Sequence, residues 1–357
     1  MIATVSKFII AVHQKLSFTR FLLIVVGCCI GLLLVEAFLR MSWDNPYEVI
    51  ERGEIVELRM NAPNVDFSLD RSWLDGKKVK FRTDNRRYIL PSRLHEDPQV
   101  TIAFMGGSTT EALYVAETMR FHYLVAMILE NNGHRVNVLN AGEGGTTVQD
   151  TLNTYLNHVV QDDPDIVIMM HATNDRSLLA SDPTYFSRSG QVISLSKQSR
   201  WIIHELSSKI SSIGLLRQAN FRSVKKKSSL RNYIDESELL ISPDPKPYIQ
   251  RVESFVDIVR NFGSIPVLMT QPLDSTRHPV RPDLENMNGQ ERFNDIIRTI
   301  ASDKNVVLVD LEDHMRDIPE FAADPTEFLY DGMHITDKGS TIYAKMIASV
   351  LLADIVR

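Results

Sequence analysis

The chain has 357 residues, a formal net charge of −6, 44% hydrophobic residues and 24% charged residues. This composition is typical of a globular protein with a sizeable core. The acidic balance offers no basic face, so we expect no nucleic-acid partner. Both cysteines are adjacent, at Cys28 and Cys29, which excludes a thiol nucleophile, an intrachain disulfide framework and a thiolate metal site from the rest of the chain.

An apolar segment near the N-terminus predicts a membrane helix. Residues 21–39 are apolar apart from glycines and Glu36, and a bilayer core requires about 20 such residues. Lys7, Lys15 and Arg20 precede this segment. Arg40 follows it, and then come four acidic residues: Asp44, Glu48, Glu51 and Glu54. We therefore expect a cytoplasmic basic tail over 1–20, a single transmembrane helix over 21–39 and the rest of the chain outside the cytoplasm, on the periplasmic side.

Two other interpretations of the apolar segment remain open. A cleaved signal peptide would need a small-residue cleavage site, and the sequence around Glu36 offers a poor one. Residues 25–28 have the look of a lipoprotein cleavage box ending at Cys28. The apolar run continues past that cysteine, however, and Cys in an apolar helix usually acts as a small hydrophobic residue.

Residues 40–97 predict a membrane-proximal stem that packs on the following domain. It contains short strand candidates, such as residues 79–82, and Pro91 and Pro98 interrupt the approach to the first core strand.

The apolar strand candidate at 100–105 ends in Gly106-Gly107-Ser108. Glycines allow a strand to turn abruptly into a helix, and such a turn exposes the serine hydroxyl. By itself this string is more typical of a glycine-rich strand-to-helix turn with a capping or buried serine.

Two more apolar strand candidates end in polar residues. Residues 136–139 lead into a loop that contains Gly145, and residues 166–170 lead towards Asn174. In a parallel α/β sheet, ligands bind outside the carboxyl ends of the strands, so Ser108, Gly145 and Asn174 should converge. A glycine N–H and an Asn amide can complete an oxyanion hole.

Strands and helices continue to alternate to the C-terminus. Helices are predicted at about 120–131, 147–160, 248–262, 290–301 and 338–353, with Thr336 or Asp337 as the cap of the last, and strands at 265–269 and 306–309. This alternation predicts an α/β domain over 98–357 with a parallel sheet, a flavodoxin-like three-layer sandwich.

Residues 176–247 interrupt that alternation as a long insertion. Apolar residues recur at helical spacing over 201–216, and three lysines follow at 225–227. Either this is a helix packed on the core with a solvated basic turn, or it is a lid whose lysines meet anionic lipid or an acidic glycan.

Asp331 and His334 lie three residues apart, so one loop can present both. A serine hydroxyl needs an imidazole to accept its proton and a carboxylate to orient that imidazole. We therefore predict Ser108, His334 and Asp331 as a catalytic set. His171 is interpreted as a structural histidine and His314 as a surface residue. The ten histidines show no metal-ligand spacing, so no metal is expected.

The order and spacing of these four blocks resemble the SGNH (GDSL-type) hydrolase superfamily, over about residues 98–355. The resemblance implies the SGNH hydrolase fold; with the apolar segment at 21–39 it predicts a membrane-anchored member, and we expect no cofactor. It implies Ser108 as nucleophile and first oxyanion donor, Gly145 and Asn174 as the other donors, His334 as base and Asp331 as its orienter. Gly107 replaces the family's frequent Asp, and Ala172 replaces a frequent Gly.

The function expected from these observations is an extracytoplasmic serine acyl or acetyl esterase. Its substrate would be an ester-bearing component of the cell envelope, an O-acylated glycan first and a lipid second. Two alternatives remain: an O-acyltransferase that uses the same triad to modify an envelope polysaccharide, and a non-catalytic scaffold subunit of an envelope-assembly machine.

Overall fold

The computed structural model describes residues 2–42, 58–181, 185, 206, 210, 212, 244–274 and 284–356. The chain divides into two units. The first comprises 1–51 and 193–229, and the second comprises 52–192 and 230–357. Most of the insertion, including the predicted helix at 201–216 and the lysines at 225–227, lies outside the described residues.

The first unit contains one long helix, α1 (Ile2–Ser42). Its segment Leu23–Ser42 is long and apolar enough to cross a membrane, and its large apolar side chains are exposed. Glu36 is the acidic residue in this stretch. Its carboxylate accepts hydrogen bonds from the backbone N–H of Ser212 (2.9 Å) and from the Arg40 guanidinium (3.0 Å), which satisfies a charge placed in an apolar helix.

The second unit is built on a parallel sheet of five strands: β3 (Val100–Gly106), β4 (Val136–Asn140), β5 (Ile166–Met170), β6 (Ile265–Met269) and β7 (Val307–Val309). Their spatial order is β4-β3-β5-β6-β7. This is the flavodoxin-like order, so the predicted fold class is confirmed. The order reverses between β3 and β5, and the crevice for a ligand is expected at that point.

Helices cover both faces of this sheet. They are α2 (Ser108–Glu111), α3 (Phe121–Asn131), α4 (Val148–Asn157), α5 (Thr173–Ser181), α6 (Lys246–Asn261), α7 (Leu284–Asp303), α8 (Leu311–Arg316), α9 (Pro319–Ala323) and α10 (Asp337–Asp354). Alternate residues of β3 face opposite ways: Ile102 and Phe104 pack with α3 and α10, whereas Ala103 and Met105 pack with α4, α6 and α7. Two apolar cores separated by one sheet give three layers.

An antiparallel hairpin precedes the sheet, formed by β1 (Asp66–Arg71) and β2 (Lys77–Arg82). Arg120, the residue before α3, anchors it, because the fully buried guanidinium donates to the carbonyls of Lys80 (2.9 Å) and Leu90 (2.6 Å). Burial lowers the pKa of Arg120 to about 10. Residues 58–97 thus belong to the second unit and share its hydrogen bonds.

The structure differs from the predicted elements in a few places. Helix α5 begins at Thr173 and continues to Ser181, so the insertion predicted from 176 starts inside a helix. The short helices α8 and α9 were not predicted, because five or six residues do not establish a helical period. Thr336 caps α10 through a bond from the Gly339 N–H to its hydroxyl (3.2 Å).

Candidate active site

Ser108 is the first residue of α2, directly after the carboxyl end of β3. The turn is tight: a Cβ at Gly106 would lie 2.7 Å from the Met170 carbonyl oxygen, and a Cβ at Gly107 would lie 2.6 Å from Nδ2 of Asn174. Side chains at either position would collide with their neighbours, so the glycines permit this approach. The Ser108 N–H lies in the first turn of the helix, where N–H groups lack intrahelical acceptors.

Asp331 and His334 lie on one loop before α10. The Asp331 carboxylate accepts from the backbone N–H of Met333 (3.1 Å) and of His334 (2.8 Å), and its second oxygen lies 2.7 Å from His334 Nδ1. On the other side of the ring, His334 Nε2 lies 2.7 Å from Ser108 Oγ. The structure therefore brings the three residues predicted from the sequence into one hydrogen-bonded chain.

The electrostatics of this chain follow from its contacts. Burial acts to raise the pKa of Asp331, but the hydrogen bonds from the His334 ring and from two backbone N–H groups outweigh it, so the pKa falls below its ordinary value of 3.8. Asp331 is therefore ionised at neutral pH. A carboxylate only accepts hydrogen bonds, so Nδ1 of His334 carries the proton and Nε2 is free to accept from the Ser108 hydroxyl.

Asn174 and Gly145 lie on the neighbouring turns. Asn174 is in the first turn of α5, and its Nδ2 donates one hydrogen bond to the Thr146 carbonyl (2.8 Å). Gly145 has φ +73°, a left-handed backbone that favours glycine. A Cβ placed on Gly144 would lie 3.9 Å from the Ser108 Cβ. The 142–146 loop and Asn174 thus both lie against the Ser108 turn.

Two residues before the hairpin hold this loop, and sequence reasoning missed them. Arg59 donates to the carbonyls of Gly145 (2.9 Å) and Gly144 (3.1 Å), and Asn61 donates to that of Gly142 (3.0 Å). The Gly144 C=O and the Gly145 N–H belong to one planar trans peptide, so they point in opposite directions. By fixing that carbonyl, Arg59 fixes the direction of the Gly145 N–H.

Asn140 supports the loop from inside. Its side chain donates to the Thr110 carbonyl (2.9 Å), its oxygen accepts from the Gly142 N–H (2.9 Å), and its Nδ2 lies 3.0 Å from Nδ1 of His122. His122 is fully buried, and this burial lowers its pKa to about 3. It remains neutral and acts as an internal hydrogen-bonding residue.

The other two histidines considered from the sequence lie apart from this chain. His171 is buried, bonds to the Thr151 hydroxyl (2.7 Å), and has its pKa lowered to about 4 by burial. His314 is part of α8, the helix that packs in the same core as α3 and α10. Among the described residues, no three His, Cys, Asp or Glu side chains are grouped as a metal site requires.

A group of three aromatic residues adjoins the site, and the sequence analysis did not predict it. The Tyr330 ring stacks on the His334 imidazole, with centroids 5.7 Å apart and planes at 16°. Trp73, in the β1–β2 turn, meets Tyr330 (5.0 Å) and Tyr114 (5.4 Å) edge to face. Their sequence separation leaves no local pattern to find.

The chain was compared with family models, curated sequences and solved structures. The model of the GDSL-like lipase/acylhydrolase family matches residues 104–342. Solved structures with a similar fold include a lipase/acylhydrolase from Enterococcus faecalis, with 19% identity over 71% of this chain and 96% of that chain and a TM-score of 0.46. An acetyl xylan esterase from Geobacillus stearothermophilus has 17% identity over 73% and 98%, with a TM-score of 0.46. No curated protein sequence matches the chain significantly.

Proposed function

This chain belongs to the GDSL-like lipase/acylhydrolase family, and from that membership and the site geometry we propose that it is a membrane-anchored serine esterase of the cell envelope. The observation that carries the proposal is the hydrogen-bonded chain from Ser108 Oγ through His334 to Asp331. It lies outside the carboxyl end of β3, where the strand order reverses and ligands bind in this kind of sheet.

In the proposed mechanism, Ser108 Oγ attacks the ester carbonyl while His334 Nε2 takes the hydroxyl proton. Asp331 stabilises the imidazolium that forms and holds the ring in position. Collapse of the tetrahedral intermediate breaks the bond to the alcohol, which leaves with the proton from His334. Water then attacks the acyl-serine and gives one proton to His334. Collapse of the second tetrahedral intermediate breaks the acyl–Oγ bond, Oγ takes that proton back from His334, and the carboxylic acid and free Ser108 are released.

The oxyanion of each tetrahedral intermediate is bound by the N–H of Ser108, the N–H of Gly145 and the side-chain amide of Asn174. The Arg59 contacts with the Gly144 and Gly145 carbonyls support the second donor. The bond from Asn174 to the Thr146 carbonyl orients the third. Such donors act on charge that develops mainly in the transition state, so they lower the barrier more than they tighten substrate binding.

For the location we propose that residues 1–20 are cytoplasmic, residues 21–39 span the membrane and the domain over 98–357 is periplasmic, with 40–97 as its membrane-proximal part. The basic residues before the apolar segment and the acidic residues after it support this orientation. A reporter active only outside the cytoplasm should work when fused after Ser42 and fail when fused before Phe21. The opposite pattern would overturn the orientation.

An envelope location favours O-acylated glycans as substrates, ahead of acylated lipids. The same triad also serves an O-acyltransferase if a sugar hydroxyl replaces water as the acceptor, since only the second half of the mechanism changes. We propose the hydrolase, in keeping with the family.

The test uses the full chain in detergent with p-nitrophenyl acetate, with and without a polysaccharide acceptor. A hydrolase releases nitrophenol without an acceptor. Release that depends on glycan, with acylated sugar recovered, would show a transferase, and no release from folded protein would show a scaffold. Ser108→Ala should abolish release, whereas Ser254→Ala, at an exposed serine of α6, should not. A fluorophosphonate adduct should map to Ser108.

A further inference from the structure

The aromatic group beside His334 has a feature that packing alone does not require. Trp73 is 54% exposed, although a large indole usually has most of its surface buried. In the described parts of the second unit, the other exposed large apolar side chains lie near the amino ends of strands: Leu156, Phe262 and Ile265. Trp73 is placed instead at the carboxyl edge, next to the site.

The Trp73 turn is held rigidly in that place. Arg71, just before the turn, is buried and donates to both carboxylate oxygens of Asp337 (3.0 and 2.9 Å), to Asp75 (2.8 Å) and to the Tyr114 carbonyl (2.8 Å). One guanidinium therefore fixes the turn, the N-terminus of α10 and the backbone of Tyr114. A preorganised surface loses little conformational freedom when a ligand binds.

The position of the rings relates them to the alcohol half of the substrate. Tyr330 covers one face of the His334 imidazole, and Trp73 lies 5.0 Å beyond it, centroid to centroid. His334 Nε2 is the atom that returns the proton to the departing alcohol in the proposed mechanism. An alcohol that extended from Ser108 along the Tyr330 side of His334 would meet these rings.

The surroundings of Trp73 favour a polar ring over other occupants. Its neighbours in the hairpin are the exposed Ser72, Asp75, Lys77 and Lys78 and the half-buried Leu74, so the exposed indole face lies in a mostly polar rim. An acyl chain needs a longer apolar channel. A stable protein partner needs a patch of about 800 Å² on each side. A pyranose ring offers C–H groups on its face for an aromatic surface and hydroxyl groups for a polar rim.

We propose that Trp73, Tyr114 and Tyr330 form a subsite that binds a sugar ring of the alcohol half of the substrate. The inference rests on the proposed esterase function and specifies its substrate class. Burial raises the pKa of both Tyr114 and Tyr330, so both rings stay uncharged at neutral pH. The subsite lies partly outside the family match, because Trp73 precedes residue 104.

The test measures how sugars affect turnover of p-nitrophenyl acetate by the full chain in detergent. Unacetylated xylo-, cello-, chito- and manno-oligosaccharides are each titrated into the reaction with the wild type, Trp73→Ala, Trp73→Phe and Phe262→Ala. The last removes a comparably exposed aromatic residue (47%) that lies elsewhere. Thermal unfolding of each variant checks that it is folded.

We expect at least one sugar series to change wild-type turnover. Trp73→Ala should raise the concentration of that sugar needed for half of the effect about tenfold or more. This fold-change should exceed the fold-change in the rate measured without sugar. Trp73→Phe should give a smaller shift and Phe262→Ala none. An equal half-effect concentration in Trp73→Ala, or no response to any sugar in an active wild type, would overturn the subsite.

Two other outcomes are also decisive. If Trp73→Ala selectively impairs p-nitrophenyl palmitate and leaves the sugar response intact, the rings bind an acyl chain and the sugar proposal is wrong. If folded wild-type protein releases no nitrophenol in any arm, the esterase function itself fails, and the subsite inference falls with it.

Discussion

At the scale of single residues, hydrogen bonds orient the groups of the site: each bond uses one atom of a side chain and leaves another atom available for the substrate. His334 lies between the ionised Asp331 and the Ser108 hydroxyl. This placement keeps the imidazole proton on Nδ1 and leaves Nε2 as the acceptor. Asn174 donates one amide hydrogen to the Thr146 carbonyl. This bond fixes the plane of the amide and therefore the direction of its second hydrogen. Gly107 lies so close to this amide that no side chain fits between them.

The imidazole and its carboxylate should contribute unequally. His334→Ala should reduce turnover as severely as Ser108→Ala, because no base remains to accept the serine proton. Asp331→Asn should retain more activity than His334→Ala, since the ring persists without its orientation and counter-charge. Rates with p-nitrophenyl acetate measure both, and His314→Ala is the matched control. Near-native rates in His334→Ala would refute its role as base.

Activity should also fall on the acid side in the wild type. A protonated imidazole cannot accept from Ser108, whereas Asp331 stays ionised because its pKa is lowered. The kcat/KM value should therefore be lower in acid than at neutral pH. A flat profile would contradict the assignment of His334.

Asn174→Ala should lower kcat far more than it raises KM. Loss of one oxyanion donor typically costs about 3 kcal/mol in the barrier, or roughly a hundredfold or more in rate. Gly107→Ala should produce part of the same defect, because its methyl group would displace the Asn174 amide. The double variant should be no worse than Asn174→Ala, a failure of additivity that indicates a shared mechanism. Fully additive losses would separate the two residues.

At the scale of elements, the loop between β4 and α4 is shaped by residues from outside the sheet. Arg59 and Asn61 bind three of its carbonyls, and Asn140 binds it from within. The loop is therefore fixed between the segment before the hairpin and the end of β4, and this arrangement determines the direction of the Gly145 N–H.

Arg59→Ala should reduce kcat by between about tenfold and a hundredfold, as small displacements of a reacting group do. Arg59→Lys should recover only part of the rate, because a lysine lacks the planar fork that reaches two carbonyls. KM should change little. Arg135→Ala removes an exposed arginine that pairs with an exposed Asp97 and should have no effect. A change confined to thermal stability would show that Arg59 has a packing role only.

The elements show what could be predicted from the sequence and what could not. The strands and most of the long helices were predicted because apolar periodicity is local, and Ser108, Asp331 and His334 because short spacings carry their chemistry. The contacts of Arg59 with Gly144 and Gly145 join residues about 85 positions apart. The Trp73–Tyr330 contact spans a greater separation. No local period records such a contact.

At the scale of the whole molecule, acid should destabilise the fold through buried neutral histidines. Burial lowers the pKa of His122 to about 3 and that of His171 to about 4, from an ordinary 6.5. Between these values the unfolded chain binds more protons than the folded chain. The free energy of unfolding therefore falls as pH drops below 6.5.

The two groups together give a slope of up to about 2.7 kcal/mol per pH unit. Thermal unfolding at pH 7.5, 6 and 5 should show a steadily falling Tm. His171→Gln should reduce the slope, whereas His134→Gln, near the surface after α3, should not. A Tm that is constant or rises from pH 7.5 to 5 would contradict this account.

The anchoring of the hairpin has a consequence for how this domain could be exchanged between proteins. The segment shared with the family, 104–342, contains Arg120 but neither of the carbonyls that bind it, and Asp337 but not Arg71. The guanidinium of Arg120 is fully buried, and leaving it without its partners costs about 1–3 kcal/mol or more, whereas the Asp337 side chain is 31% exposed and loses less. The segment that the family model matches is thus smaller than the part of the chain that is joined by these buried hydrogen bonds. A chimera with a different membrane anchor must therefore carry residues 58–97, and the remainder of α10, together with the sheet.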